Sequence, residues 1–179
     1  GSCYVKNDRS NIPFKGTLRL DVIKFADQSS KNIRRTLLSK DLTLASGPGV
    51  IEYFSVDFSS VDRAREVVSA TIMDDERKTV SSHVVSLAYP KDMLLPKANV
   101  QASVVPGMRA ENGAYTIEVT SKTPALYVVL TTLAHGRFSE NAFLLDSNKK
   151  IIFFHPFVKE DQEAVLSKTL RVEDLSENM

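Results

Sequence analysis

The feature that most constrains this sequence is hydrophobic alternation with a period of two. Every second residue of Thr17–Val22 is apolar, and Phe54, Val56 and Phe58 repeat the pattern in Tyr53–Phe58. Because successive side chains of a β-strand point to opposite faces, the pattern predicts half-buried strands. Further strand-length runs, each bounded by turn-forming residues, are Val68–Ile72, Val84–Ala88, Val100–Val104, Tyr115–Val119, Leu126–Leu133, Ile151–Phe154 and Thr169–Val172. Many short strands separated by regular turns predict a sandwich or a barrel.

Helical signals are few. Ser59–Ala64 is compatible with a single turn, and Glu160–Lys168 contains helix-forming residues that Asp161 is placed to cap. Neither segment is long enough to build a layer of the fold. The predicted fold class is therefore all-β.

A proline-bracketed stretch divides the strands into two sets. Pro90 and Pro96 flank it, and proline cannot donate a backbone hydrogen bond to a sheet. Each half is close to the size of an immunoglobulin-type sandwich. We expect two tandem antiparallel immunoglobulin-like β-sandwich domains, at 3–92 and 97–179.

Composition excludes some classes of partner. The chain of 179 residues has 23 basic and 22 acidic residues and a formal charge of +1. A balance this close argues against a nucleic-acid or anionic-membrane surface, and no apolar run approaches the roughly 20 residues of a membrane-spanning helix. Cys3 is the single cysteine, so an intrachain disulfide is excluded. Gly1-Ser2 resembles a remnant of tag cleavage, which predicts that the chain begins inside a longer protein.

Residues that could carry catalysis do not form a recognisable site. His83, His135 and His155 fit no metal-ligand spacing, and no Gly-x-Ser-x-Gly elbow is present. We therefore expect neither a metal nor a cofactor.

Glycosidases use two carboxylates, so carboxylate clusters need a separate test. The clusters are Asp74–Glu76, Glu160-Asp161 and Glu173-Asp174. The first is typical of a hairpin turn and the second of a helix entry. No catalytic residue is predicted in this chain.

Aromatic residues leave one alternative open. The five tyrosines could provide flat rings for sugar stacking, but tryptophan is absent. Tyr53, Tyr115 and Tyr127 lie in predicted strands, where packing is the expected role, whereas Tyr4 and Tyr89 do not. A carbohydrate-binding or adhesion-type sandwich stays the alternative function.

The most distinctive segment is the loop that follows Leu126–Leu133. Gly136 permits a sharp exit from the strand, and the side chains of Ser139 and Asn141 can bond to nearby backbone. Phe138, together with Phe143, is expected to anchor the loop in the core. Arg137 offers five donors in a rigid fork, which suits carbonyl or carboxylate groups of a neighbouring domain. The sequence thus predicts an interdomain contact loop, and its residues are Gly136, Arg137, Phe138, Ser139 and Asn141.

The segment Gly136–Phe143, followed by the strand Ile151–Pro156, resembles the C-terminal immunoglobulin-like domain of β-mannosidases in glycoside hydrolase family two. That family usually has Asp where this chain has Glu140. Weaker agreement is found in the segments Tyr4–Asp8, Phe14–Leu20 and Pro90–Ala98.

This resemblance implies a non-catalytic C-terminal scaffold of a larger enzyme. In the family, the catalytic glutamates lie on a TIM barrel, which this sequence does not contain, so the chain should be inactive by itself. The implied partners are other domains of the same polypeptide, including that barrel. The parent would hydrolyse terminal β-D-mannosyl residues and would be lysosomal or secreted.

Overall fold

The chain forms two compact β-rich units in a computed structural model that describes residues 1–8, 11–26, 33–47, 50–158 and 160–178. The first unit comprises Gly1–Lys24 with Arg34–Met93, and the second comprises Phe25–Ile33 with Leu94–Met179. All described sheets are antiparallel, and the expected all-β sandwich class is confirmed. The domain limits 3–92 and 97–179 stay a prediction.

The first unit contains a four-stranded and a two-stranded sheet. The larger sheet has the order β3-β2-β5-β6, and the smaller one pairs β1 with β4. These strands are β1 (Ser2–Asn7), β2 (Phe14–Lys24), β3 (Arg34–Leu44), β4 (Val50–Ser55), β5 (Glu66–Asp74) and β6 (Thr79–Ser86), and a short 3₁₀ helix, Pro90–Asp92, follows.

The alternation in β2 explains its central place in the larger sheet. Leu18, Leu20 and Val22 are buried in the core of the first unit, as the period of two predicts. The opposite face of β2 is expected to be polar. Asp21 lies on that face and is nevertheless buried. Hydrogen bonds from Arg19 and Thr36, at 2.8 and 2.9 Å, satisfy its carboxylate.

The acidic run that begins at Asp74 forms the β5–β6 hairpin turn, as expected. The Asp74 carboxylate accepts hydrogen bonds from the backbone N–H groups of Glu76 and Lys78, at 3.1 and 2.8 Å. Arg77 adopts a positive φ of 64° within the turn. The Asp74 side chain therefore stabilises the turn by binding backbone N–H groups of that turn, which is a common role of aspartate in hairpins.

The second unit packs a four-stranded sheet, of order β10-β12-β8-β7, with strands in the order β11-β9-β13. Its strands are β7 (Gln101–Arg109), β8 (Tyr115–Thr120), β9 (Ala125–Thr131), β10 (Gly136–Phe138), β11 (Phe143–Leu145), β12 (Lys149–Pro156) and β13 (Arg171–Glu173). The core between them includes Tyr115, Ile117, Leu130, Leu145 and Phe154.

Helices make up little of the structure. The predicted segment Glu160–Lys168 corresponds to α1 (Glu163–Thr169), which begins later than expected. Asp161 precedes the helix and accepts a hydrogen bond from the backbone N–H of Glu163 at 3.1 Å. A last 3₁₀ turn spans Leu175–Asn178. Within the described part of the chain, no helix has the length and apolar character of a membrane-spanning helix.

The single helical turn expected at Ser59–Ala64 is wrong. The Asp57 carboxylate accepts from the N–H of Ser59 at 2.9 Å, and the Asp62 carboxylate accepts from the N–H of Ala64 at 3.0 Å. Such local bonds to the backbone compete with helix formation. The segment is therefore a series of turns that leads into β5.

Phe154 and Phe157 provide a matched test of the second core. Phe154 is 0% exposed. We expect Phe154→Ala to destabilise the protein by about 3–5 kcal/mol, because it removes a large buried side chain. Phe157 is 70% exposed, so Phe157→Ala should change the unfolding free energy by less than about 0.5 kcal/mol. Urea denaturation of both variants measures the difference, and equal losses would contradict this account of the core.

Candidate functional site

The loop predicted to make interdomain contacts begins in the edge strand β10. Gly136 pairs with Pro156, Arg137 with His155 and Phe138 with Phe154 across the β10–β12 ladder. The structure therefore brings Gly136, Arg137 and Phe138 together at one edge of the four-stranded sheet. Their side chains alternate between the core face and the outer face of that sheet.

Gly136 is needed for close approach, and it does not adopt the positive φ that a sharp turn would require of a glycine. A Cβ atom at this position would lie 2.4 Å from Cζ of Phe154 and 2.5 Å from the carbonyl oxygen of His155. Both distances are far shorter than van der Waals contact. The missing side chain lets β10 lie directly against the Phe154 ring.

Two phenylalanines anchor the loop in the core, as predicted. The Phe138 ring meets the Phe154 ring edge-on, with 5.2 Å between ring centroids. Phe143, at the start of β11, is buried within the same core. The two rings fix the loop at both of its ends.

Asn141 acts as a substitute for a piece of backbone. Its Oδ1 accepts a hydrogen bond from the N–H of Leu130 at 2.8 Å, and its Nδ2 donates to the carbonyl of Leu130 at 2.9 Å. A side-chain amide carries the same donor and acceptor as a peptide group, so Asn141 completes the pairing of β9 just ahead of β11. The following residue, Ala142, has a positive φ of 54°, a conformation that the surrounding bonds must hold.

Ser139 closes the other side of the loop. Its backbone N–H donates to the carbonyl of Phe153 at 2.7 Å, and its hydroxyl accepts from the N–H of Phe153 at 3.0 Å. Next to it, Glu140 forms an ion pair with Lys150 at 2.8 Å. The Lys150 ammonium also lies 4.5 Å from the centre of the Phe143 ring. Glu140, the departure from the family pattern, is thus held by a cation within the same unit.

Arg137 differs from its neighbours because its side chain is directed outward. It is exposed, and none of the residues in the described ranges gives it a hydrogen bond or an ion pair. The predicted role of its guanidinium group as a contact to another domain stays a prediction. The structure shows that the guanidinium group of Arg137 is exposed, on a strand whose backbone is paired with β12.

Two exposed apolar side chains flank the β10–β12 ladder, Leu133 ahead of β10 and Phe157 after β12. The backbone N–H of Phe157 donates to the carbonyl of His135 at 3.0 Å, which continues the β10–β12 pairing by one step. Phe157 is 70% exposed and Leu133 is 77% exposed. We call the exposed residues Leu133, His135, Arg137 and Phe157 the loop surface. Sequence reasoning missed both apolar residues, because Leu133 ends a predicted strand and Phe157 directly follows one, and the pattern does not show whether such a residue is covered.

The remaining carboxylate candidates serve local structure. Asp161 accepts hydrogen bonds from the Tyr115 hydroxyl at 2.6 Å and from the Arg109 guanidinium at 2.9 Å. These groups lower the pKa of Asp161, the Tyr115 hydroxyl contributing most. Asp174 is buried and accepts from the N–H of Ser176 at 2.8 Å. Among the residues the structure describes, no cluster of three His, Cys, Asp or Glu side chains could hold a metal ion.

One tyrosine departs from its expected role. The sequence predicts that Tyr53, in a strand, packs in the interior, but it is 70% exposed. The expectation is wrong because Tyr53 lies on the outer face of β4, where it pairs with Tyr4 of β1. Tyr115 is buried as expected.

Comparison with known proteins identifies the second unit. Residues 95–178 match the family model Ig_mannosidase, described as an Ig-fold domain. The match extends over 84 of the 179 residues and assigns an Ig fold of mannosidase type to that segment alone. The resemblance carried by Gly136–Phe143 is thereby confirmed. Among the curated proteins compared with the chain, none matches.

Solved structures resemble the chain over both units. A β-D-mannosidase from Dictyoglomus thermophilum matches with a TM-score of 0.65 and 17% identity, over 97% of this chain and 21% of that one. The exo-chitosanase CsxA from Amycolatopsis orientalis matches with a TM-score of 0.60 and 16% identity, over 97% of this chain and 24% of that one. At these identities the likeness concerns the fold. The chain spans less than a quarter of either structure.

Asn141→Ala tests the backbone substitution. It leaves the N–H and carbonyl of Leu130 without their partners, so we expect the unfolding free energy to fall by about 1–3 kcal/mol. Asn148→Ala is the matched control, because Asn148 is exposed and its side chain forms no bond with the described residues. Chemical denaturation compares the two, and a loss no larger than that of the control would disprove the role of Asn141.

Asp161 should make stability depend on acid pH. Its folded-state pKa is lowered from the ordinary value of 3.8, so its contribution is complete above that value and is lost as pH falls through the folded pKa. Asp161→Asn should therefore be less stable than the parent chain at neutral pH, with the gap closing at strongly acid pH. Urea denaturation across this pH range checks the trend, with Asp75→Asn as an exposed control. A gap that is constant with pH would contradict it.

Proposed function

We propose that this chain is the non-catalytic C-terminal scaffold of a larger β-mannosidase. The catalytic TIM barrel of the parent would hydrolyse terminal β-D-mannosyl residues. The observation that carries the proposal is the family match of residues 95–178 to a mannosidase-type Ig-fold domain. The likeness of 97% of the chain to a fifth of a β-D-mannosidase supports it, since the other four-fifths leave room for a catalytic domain.

The chemistry of the described carboxylates favours a scaffold. Hydrolysis of a glycoside requires two carboxyl groups that face one another across a sugar. Asp74 is occupied by backbone donors of its own turn, and Asp161 is occupied by Tyr115, Arg109 and the start of α1. Both groups are committed to local structure.

The proposed scaffold acts through the loop surface, which would contact another domain of the same polypeptide. Arginine and aromatic side chains contribute most of the binding energy at protein interfaces. Arg137 pairs with His155, and Phe157 follows two residues later, so both lie at the same edge of the sheet. Ser139 and Asn141 bond to the backbone nearby. A rigid loop loses little conformational entropy on docking, which favours the contact. A lysosomal or secreted location of the parent stays a prediction.

An activity assay tests the proposal directly. The isolated chain should not hydrolyse p-nitrophenyl β-D-mannoside, whereas the longer protein encoded by the same gene should do so. Turnover by the isolated chain would overturn the scaffold role. A gene that encodes no barrel upstream of these residues would overturn the assignment to a mannosidase.

Arg137→Ala separates an interdomain contact from a local role. In the isolated chain we expect a change below about 0.5 kcal/mol in the unfolding free energy, as for exposed residues in general. In the parent enzyme the same substitution should cost about 1–3 kcal/mol of stability, or lower activity, because it removes a charged hydrogen-bond donor from an interface. Thermal denaturation and kcat/KM measure these effects. Arg63→Ala, at another exposed arginine, serves as the control.

Two outcomes of the Arg137→Ala experiment would contradict the interdomain contact. If Arg137→Ala leaves both stability and activity of the parent unchanged, the loop surface does not bind another domain. A loss confined to the isolated chain would instead show that Arg137 stabilises its own unit.

A further inference from the structure

Two exposed tyrosines form a pair on the outer face of the smaller sheet in the first unit. Tyr4 of β1 and Tyr53 of β4 lie directly opposite each other, with ring centroids 6.0 Å apart and ring planes inclined at 47°. They are 65% and 70% exposed. The inner face of the same strands is packed, since Val5 is buried and Phe54 contacts the core. The tyrosine rings therefore project from the outer face of a sheet whose inner face is packed against the core.

Polar groups of opposite charge continue the row. Lys6 and Asp8 follow Tyr4 at intervals of two residues and form an ion pair at 2.5 Å. The ammonium group is a donor and the carboxylate is an acceptor. A ligand that lies along β1 would meet the Tyr4 ring, with the Tyr53 ring beside it on β4, and then a donor and an acceptor side by side.

A cleft extends this row. Its volume is about 840 Å³, and Tyr4, Lys6 and Asp8 contribute to its lining. The lining contains three lysines and three aspartates, so the formal charges balance; the others are Lys15, Lys78, Asp74 and Asp75. A balanced set of donors and acceptors suits a neutral ligand rich in hydroxyl groups better than an anion or a cation.

We propose that Tyr4, Tyr53 and the adjoining cleft bind a neutral oligosaccharide. The C–H face of a sugar ring stacks on the electron-rich face of an aromatic ring, and its hydroxyls pair with Lys6 and Asp8. Because the two tyrosines are neighbours across the strands, they can support adjacent parts of one chain. The site lies wholly in the first unit and does not depend on the scaffold role or on the loop surface.

Nuclear magnetic resonance tests the proposal on the intact 179-residue chain. The probes are β-1,4-linked mannohexaose and cellohexaose, titrated to about 10 mM, the range in which weak Kd values are measured. We expect at least one probe to give saturable shifts at Tyr4, Tyr53 and Lys6. Tyr53→Ala should weaken binding about tenfold, as expected for the loss of one stacked ring.

Controls separate the ring from the fold. Tyr53→Phe keeps the ring and should retain binding to within about twofold. Tyr4→Leu and Tyr53→Leu keep apolar bulk but remove a ring, and each should weaken binding about tenfold, as Tyr53→Ala does. Tyr89→Ala removes a tyrosine that is 74% exposed and lies outside the row, and it should have no effect. Thermal denaturation of each variant confirms folding.

Three results would overturn the proposal. The first is the absence of saturable shifts with both probes. The second is binding that Tyr4→Leu and Tyr53→Leu leave unchanged. The third is shifts at the tyrosines that depend on protein concentration alone, which would assign the pair to contact between copies. None of these results bears on the mannosidase assay of the isolated chain and its parent.

Discussion

The second unit depends on the burial of one aromatic ring. Phe154 is fully buried, with Tyr115 at 6.3 Å and Phe138 at 5.2 Å between ring centroids. Only a glycine at position 136 lets the edge strand approach this ring. Because the strand pairs directly over Phe154, the alternation of its side chains fixes Arg137 on the outer face. The position of the candidate contact group thus follows from packing in the core.

Much of the strand content could be predicted from the sequence, because the alternation in β2 is regular and the apolar run of β12 has the length of a strand. β3 was missed, since its adjacent Leu37 and Leu38 break the alternation. The register between β2 and β3 shifts at Leu20–Asp21, which accommodates one extra residue as a bulge does. Period-two reasoning cannot anticipate such a shift, because it depends on the partner strand. At α1, which starts later than predicted, the carboxylate of Asp161 binds the backbone N–H of Glu163.

The candidate site was predicted by residue type but not by partner. The chemistry of Asn141 indicates that it bonds to backbone, yet its partner Leu130 lies eleven residues earlier. Tyr53 illustrates the opposite error, since an aromatic residue in a strand occupies either face and the sequence does not say which is covered. The loop surface and the tyrosine pair were therefore found only from exposure. They lie in different units and call for different partners, a folded domain in one case and a soluble glycan in the other.

The two-point bond of Asn141 has a consequence for chemical ageing. Deamidation replaces the side-chain amide with a carboxylate, so Asn141 would present an acceptor to the Leu130 carbonyl where it now presents a donor. Asn112 precedes Gly113, an arrangement in which deamidation is fast, but it uses only its oxygen, as acceptor for the N–H of Ala114 at 3.2 Å. An aspartate at position 112 would keep that acceptor. Replacing the side-chain amide by a carboxylate should accordingly disturb the pairing of Asn141 with β9 more than the same side-chain change at Asn112 disturbs the β7–β8 turn.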